Sequence, residues 1–245
     1  SIRSRIANFI DPDSPFLEIS SLAAYGSDYP VGGGAVAGVG IVAGTECVIF
    51  GNDPTVLAGA MHTYSAKKWT RAMEIARVNK IPYVQFVESS GGDLRMGGGK
   101  GKDAARGSIL GAGHFAESGR TFYDVTELSK LRIPTISLVF GSSTAGGAYQ
   151  PGMSDYNIFI KKQSKVFLGG PPLVKMATGE ESDDESLGGG QMHAEVSGLA
   201  DYLAEDEMDA LRIGREVISH LNWRKEGKRP KLAPDNPILD PEDLL

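Results

Sequence analysis

Two short stretches hold the residues best suited to do chemistry, Gly91-Gly92 and Gly146-Gly147. Each glycine pair follows a run with the character of a buried strand, Tyr83 to Val87 in the first case and Thr135 to Phe140 in the second. A strand that ends in Gly-Gly and feeds a helix leaves unpaired backbone N–H groups at the helix start. With no side-chain bulk around them, those groups can donate to a carbonyl or an oxyanion. Two such turns together can build one pocket. A glycine pair also permits a tight strand-to-helix turn with no chemistry at all, and the residues alone leave both readings open.

Other chemistries find less support. A phosphate-binding loop needs Gly, four residues, then Gly-Lys-Ser/Thr, but Gly101-Lys102 is followed by Asp103, and Met96 stands where the first glycine belongs. Gly99, Gly101 and Ala104 give a degenerate dinucleotide spacing without a strand immediately before it. Gly141-Ser142-Ser143-Thr144-Ala145 breaks the nucleophile-elbow pattern at its last position. The histidines His62, His114, His193 and His220 are scattered, with no i, i+4 pair, so no metal site is expected. What remains is a pocket of backbone donors with few acids or bases. It suits chemistry in which an enolate forms on a thioester and the proton acceptor comes from elsewhere.

The elements that must position these turns form a repeat. Ser65 to Lys80 reads as an amphipathic helix with Trp69, Met73 and Ala76 at helical spacing and basic first turns. It leads through Lys80-Ile81-Pro82 into the first strand and Ser89-Ser90-Gly91-Gly92. About fifty residues later a helix over Tyr123 to Lys130 leads through Arg132-Ile133-Pro134 into the second strand and its Gly-Gly turn. The duplication predicts a supersecondary unit that stacks on its neighbour. Before it, Ala35 to Phe50 reads as two short strands, and Ile6 to Ala24 as an entry arm with a turn at Asp11 to Pro15. After it, Tyr156 to Ile160 and Val166 to Leu168 flank Lys161-Lys162-Gln163-Ser164 as an expected hairpin. Glu180 to Glu185 reads as an acidic surface loop or a docking segment, and Glu205 to Asn222 as a long helix. The proline-rich stretch from Lys228 has the composition of a linker.

With 245 residues, 41% of them hydrophobic and 23% charged, one large globular domain is the expectation. A formal charge of -6 argues against a nucleic-acid-binding or polybasic membrane surface. The single cysteine, Cys47, excludes an internal disulfide and fits a reducing compartment, either the cytoplasm or an organelle matrix. The most apolar stretch, Val36 to Ala43, is too short to cross a bilayer as a helix. Glycine is the outlier: 32 of 245 residues is nearly twice the usual share of roughly 7%.

At several runs the sequence resembles the carboxyltransferase (beta) subunit of biotin-dependent acyl-CoA carboxylases. These are Ser89-Ser90-Gly91-Gly92, Gly141 to Tyr149, Phe167 to Glu180, Leu187 to His193 with Ser197-Gly198, and the opening Ser4 to Glu18. The resemblance spans nearly the whole chain. It implies an α/β, crotonase-like superhelix of repeated ββα units, with residues 1–228 as the N-terminal, acyl-CoA-side domain and 229–245 as an interdomain linker or tail. It further implies a coenzyme A thioester as substrate and biotin carried on a partner protein. The implied partners are a C-terminal carboxyltransferase domain, a biotin carboxylase or carrier subunit, and further copies of the chain. Carried over by motif, Gly146 and Gly147 are the candidate donors to the thioester carbonyl, flanked by Ala145 and Ala148, with Gly91 and Gly92 lining the pocket. Lys67, Lys68 and Arg71 are candidates to meet the CoA phosphates.

The Phe-Leu-Gly-Gly-Pro-Pro-Leu-Val-Lys form is similar to subunits acting on 3-methylcrotonyl-CoA or geranyl-CoA, and less so to those acting on acetyl- or propionyl-CoA. One departure stands out: after Gly92 the family usually places alanine, where this chain has Asp93 and then the basic, glycine-rich Arg95 to Lys102. Two rival readings are a biotin-independent crotonase-type hydratase, isomerase or decarboxylase using Glu88, Asp93 or His114, and a non-catalytic scaffold that docks through its acidic loop.

Overall fold

The small and β-branched residues from Ala35 onward fold back on themselves around Ala43-Gly44, forming strands β2 (Ala35–Val42) and β3 (Thr45–Asn52) in antiparallel register. Both turn residues take positive φ, 48° and 74°, as a two-residue hairpin turn requires. The Asp11 carboxylate accepts both of their N–H groups at 2.8 Å. The computed structural model describes residues 1–93 and 119–225. The expected tail, His114, and nearly all of the departure after Asp93 lie outside these residues.

Within them the sheet runs β1 (Leu17–Glu18), β2, β3, β4 (Tyr83–Ser89), β5 (Thr135–Thr144), β6 (Tyr156–Ile160), β8 (Tyr202–Ala204), with β7 (Lys165–Phe167) beside β5. From β3 onward every pairing is parallel. The repeat is plainly expressed. Helix α2 (Thr63–Asn79) precedes β4, and a helix over 119–130, α3, precedes β5. In each copy the basic residue, Lys80 or Arg132, takes the left-handed conformation that ends the helix, φ 51° and 58°. A cation there also complements the helix dipole. Ile81 and Ile133 are buried in one cluster, and each proline carbonyl accepts a strand N–H, Val48 to Pro82 and Tyr83 to Pro134, both at 2.9 Å. The basic-Ile-Pro signature is therefore a helix stop, a core anchor and a register pin in succession.

Helix α1 (Ile2–Phe9), which the pattern did not predict, buries Ile2, Ile6 and Phe9. Together with α8 (Glu207–His220) it covers one face of the sheet, over Val84, Phe86, Leu138 and Phe140. The α2 and α3 helices cover the other face through Trp69, Met73, Val125 and Leu128.

The expected hairpin of β6 and β7 does not form. Both strands pair in parallel with β5. Between the pairs Val87↔Val139 and Ser89↔Ser143, β5 takes up four residue steps where β4 takes two. The resulting ten-residue strand is long enough to seat β6 and then β7 along it. The acidic stretch is partly helical: Asp183 caps α6 (Asp184–Gly188), accepting the N–H groups of Glu185 and Ser186.

Candidate active site

Because β4 and β5 are parallel neighbours, the turns leaving their C-terminal ends emerge side by side. Gly91 takes φ +91°, and a methyl group on it would lie 3.1 Å from Ala145 Cβ and 3.2 Å from the Thr144 carbonyl oxygen. The two glycine turns are therefore in van der Waals contact.

The second is a single 3₁₀ turn, Ala145–Ala148, running directly into α4 (Tyr149–Gly152). In i→i+3 geometry the third residue closes the turn on the cap, here Gly147 on Thr144, while Gly146 keeps an N–H with no partner inside the turn. Exposure divides in the same way: Ala145 is exposed and Gly146 half-buried, whereas Gly147 and Ala148 are buried. Ala148 packs with Val87, Val139, Phe159 and Val166, which takes it out of reach of a substrate. A methyl on Gly147 would sit 3.0 Å from both Ser143 Oγ and Ser89 Cβ, while among the described residues one on Gly146 would meet nothing nearer than Phe122 Cζ at 3.7 Å.

In the first turn the amides are mostly engaged. Ser90 N–H donates to Ala58 O at 3.1 Å, Gly91 N–H to Ser89 Oγ at 3.3 Å, and Asp93 N–H to Met61 O at 2.8 Å. Gly92 is exposed, and its N–H has no hydrogen-bond partner among the described residues. Among the glycine amides of the two turns, those without an acceptor among the described residues are thus Gly92 and Gly146. Gly91 and Gly147 are held inside and set the contact between the turns. Two aromatic rings that spacing rules did not single out border the second turn. Phe122 on α3 lies beside Gly146 and tilts against Tyr149, with ring centroids 5.0 Å apart.

Lys67 and Arg71 are exposed on α2, and Arg71 is paired with Glu74 at 2.6 Å. Lys68 does not share their face, which corrects its assignment to a phosphate-facing group. It is 2% exposed, and its Nζ donates to Ala35 O at 2.8 Å and Gly32 O at 3.2 Å. Burial pushes its pKa down. The helix buries Ser65, Trp69 and Ala72 as well, so position 68 falls on the core side, where its ammonium ties a glycine loop to the helix.

Glu88, a candidate acid or base, points away from Ser89 by strand alternation, toward the α1 face. There it accepts from Arg5 Nη1 at 2.8 Å. Arg5 also bonds Glu207 through Nε at 3.0 Å, and its guanidinium lies 4.3 Å over the Phe140 ring. Glu88 is thereby committed to structure on the wrong face for the pocket. His193 is buried, with Nε2 2.8 Å from Val166 O and Nδ1 2.7 Å from Ser197 Oγ, and serves as a structural tie. Among the described residues no cluster of His, Cys, Asp and Glu could hold a metal ion, and no helix is long and apolar enough to cross a membrane.

Residues 1–245 match the family described as carboxyl transferase domain. The chain is 53% identical over 243 residues to the probable biotin-dependent acyl-coenzyme A carboxylase beta2 subunit of Mycobacterium tuberculosis, covering 99% of this chain and 43% of that one. It is 44% identical over 223 residues to the probable mitochondrial methylcrotonoyl-CoA carboxylase beta chain of Drosophila melanogaster, covering 90% of this chain and 37% of that one. Among solved structures, the geranyl-CoA carboxylase beta subunit of P. aeruginosa superposes with a TM-score of 0.77 at 39% identity, over 95% of this chain and 42% of that one. The chain spans roughly two fifths of the length of the curated relatives it matches. Its mixed α/β fold is that of carboxyltransferase structures of the crotonase-like type, as the resemblance implies.

Proposed function

The chain belongs to the carboxyl transferase domain family, and from that premise we propose that it is the acyl-CoA-side domain of a biotin-dependent carboxyltransferase. Residues 1–228 are assigned to that domain, and 229–245 to an interdomain linker or tail. The observation that carries the reading is the meeting of two glycine turns at the ends of adjacent parallel strands, with the Gly92 and Gly146 N–H groups left without an acceptor among the described residues.

The chemistry follows from those donors. Removing a proton from the acyl group drives negative charge onto the thioester oxygen. Donors preorganised at that oxygen stabilise the enolate, each contributing on the order of 10²–10³ in rate. Carboxybiotin, carried on a partner protein and presented by the C-terminal domain of a partner subunit, supplies the carboxyl group and the proton acceptor. The chain's own residues bind and orient the thioester: Gly92 and Gly146 donate, Gly91 and Gly147 fix the spacing, Ala145 lines the mouth, and Lys67 and Arg71 meet the CoA phosphates. The engagement of Glu88 by Arg5 fits a site whose base comes from outside. The same engagement counts against a hydratase or isomerase that would use Glu88.

The acyl group is branched or unsaturated, 3-methylcrotonyl being the type. In support, identity is 44% to a methylcrotonoyl-CoA carboxylase chain against 31% to an acetyl-/propionyl-coenzyme A carboxylase beta5 subunit. Phe122 and Tyr149, inclined at 59° to each other, also give the pocket an aromatic wall. The cytoplasm, or the mitochondrial matrix in a eukaryote, is the compartment, and a homo-oligomer is the working state.

Calorimetric titration with CoA, propionyl-CoA and 3-methylcrotonyl-CoA tests the reading. Binding that tightens in that order supports it. Equal affinity for all three removes the acyl site, and absence of binding to any of them refutes the assignment of the CoA half to this chain.

A further inference from the structure

The first glycine turn is gripped by a segment in an unfavourable conformation. Leu57, Ala58 and Gly59 take the left-handed region in succession, with φ 52°, 51° and 70°. Two of the three carry a side chain, and such strain persists only where the surroundings over-determine it. The surroundings here are the end of β4. A methyl on Gly59 would lie 2.1 Å from the Glu88 carbonyl oxygen, so the segment passes against the strand as closely as backbone can. It is stitched to the turn by Ser90 N–H to Ala58 O at 3.1 Å, Met61 N–H to Gly91 O at 2.7 Å, and Asp93 N–H to Met61 O at 2.8 Å. These bonds flank Gly92 on both sides and leave its N–H as the outward donor.

The segment is itself held from beneath. Asn52, the last residue of β3, is 1% exposed, and its Nδ2 reaches both Gly59 O and Met61 Sδ at 3.3 Å. Its Oδ1 has no hydrogen-bond partner among the described residues, so the amide's hydrogen bonding is directed at this segment alone. We infer that Asn52 is a positioning residue of the acyl-CoA site. Through Gly59 and Met61 it fixes the Ser90–Asp93 turn, and with it the direction of the Gly92 N–H, without touching the substrate. The inference rests on the proposed function and adds a residue to it that lies beneath the pocket.

The test pairs two variants with two readouts. Asn52→Leu replaces the amide by an apolar group of the same shape, and Asn52→Ser is the milder truncation. The first readout is the ratio of dissociation constants for 3-methylcrotonyl-CoA and its thioether analogue, which lacks the carbonyl. The second is the exchange rate of the Met61 amide. In the variants the preference for the thioester is expected to fall at least about tenfold toward unity while the affinity for CoA itself stays within about twofold. The Met61 amide is expected to exchange at least about tenfold faster, with the amides inside α2 unchanged. A folded variant that keeps the thioester preference, or keeps Met61 protected, overturns the inference. If the native chain binds both compounds equally, the donor-turn reading fails first and the positioning role falls with it. If the native chain binds neither, the proposed function fails, and Met61 exchange alone then decides whether Asn52 holds the turn.

Discussion

Gly146→Ala and Gly147→Ala differ by one position and are expected to fail in opposite ways. At Gly147 a methyl would stand 3.0 Å from Ser143 Oγ, 3.0 Å from Ser89 Cβ and 3.1 Å from Ser89 Oγ. Each contact is about 0.4–1.0 Å inside the optimal separation of about 3.5–4.0 Å. Both serines are buried on neighbouring strands, so neither can swing aside. Overpacking of this kind costs about 1–3 kcal/mol. For a domain of this size that is a fall in Tm of roughly 2–12 °C. At Gly146 the nearest atom among the described residues, Phe122 Cζ, is 3.7 Å away, an ordinary contact. There the loss of glycine's unfolded-state freedom is neutral or stabilising by up to about 1 kcal/mol. The methyl would, however, crowd the free N–H and the aromatic wall, and the affinity advantage of a thioester over free CoA should fall about tenfold. Thermal denaturation and titration of both variants separate the two effects. A Gly146→Ala protein that loses stability but keeps its thioester preference would show that Gly146 is packing and not a donor.

Arg5→Met should cost about 1–3 kcal/mol. That is less than for a fully buried ion pair, because Glu88 and Glu207 are 26% and 39% exposed. The hydrogen bond from Arg5 holds the Glu207 carboxyl below its ordinary pKa of 4.5. Its contribution is therefore complete at neutral pH and is lost as pH falls from the ordinary carboxylate range through the depressed pKa. Urea unfolding should show a wide gap between native and variant protein at pH 7 and a narrower one at pH 3, and an equal gap at both would break the linkage. Lys68→Met should lower stability by about 1–3 kcal/mol by stranding the Gly32 and Ala35 carbonyls, yet leave CoA affinity within about twofold. Lys67→Ala with Arg71→Ala should do the reverse: stability within about 0.5 kcal/mol and CoA binding weakened several-fold in a salt-dependent way. Unchanged CoA binding in that double variant would remove the helix face from the site.

Much of the architecture was legible because the repeat states it twice. The helix, the basic-Ile-Pro stop, the buried strand and the glycine turn recur with the same conformation at Lys80 and Arg132. The failures have physical causes. Lys161-Lys162-Gln163-Ser164 has the composition of a hairpin turn, but strand pairing is decided by which edge is open, and the lengthened β5 offered its own. Lys68 looked like part of a basic face because charge was read without helical phase, while the neighbours one turn away, Ser65 and Ala72, mark the side that faces the core. Helix α1 carries Ile2, Ile6 and Phe9 at helical spacing, a signal present but masked by its two arginines. The choice of Gly92 and Gly146 over their partners was not readable at all. It depends on which amides find acceptors in space, and three of those acceptors lie in or beside the strained segment near Met61 or on Ser89.

The two donor turns hang from adjacent strands of one hydrogen-bonded ladder. The spacing of the strand ends from which they leave is therefore governed by the interstrand repeat of about 4.8 Å. Substitution can line, roof or block the gap, but cannot widen it without unzipping the sheet. Under the proposed function, such a site should over evolutionary time hold one reacting group constant, the thioester carbonyl, while its range of acyl chains drifts with the removable walls at Phe122 and Tyr149. An engineer seeking a new substrate would accordingly vary those two rings and leave the ladder alone.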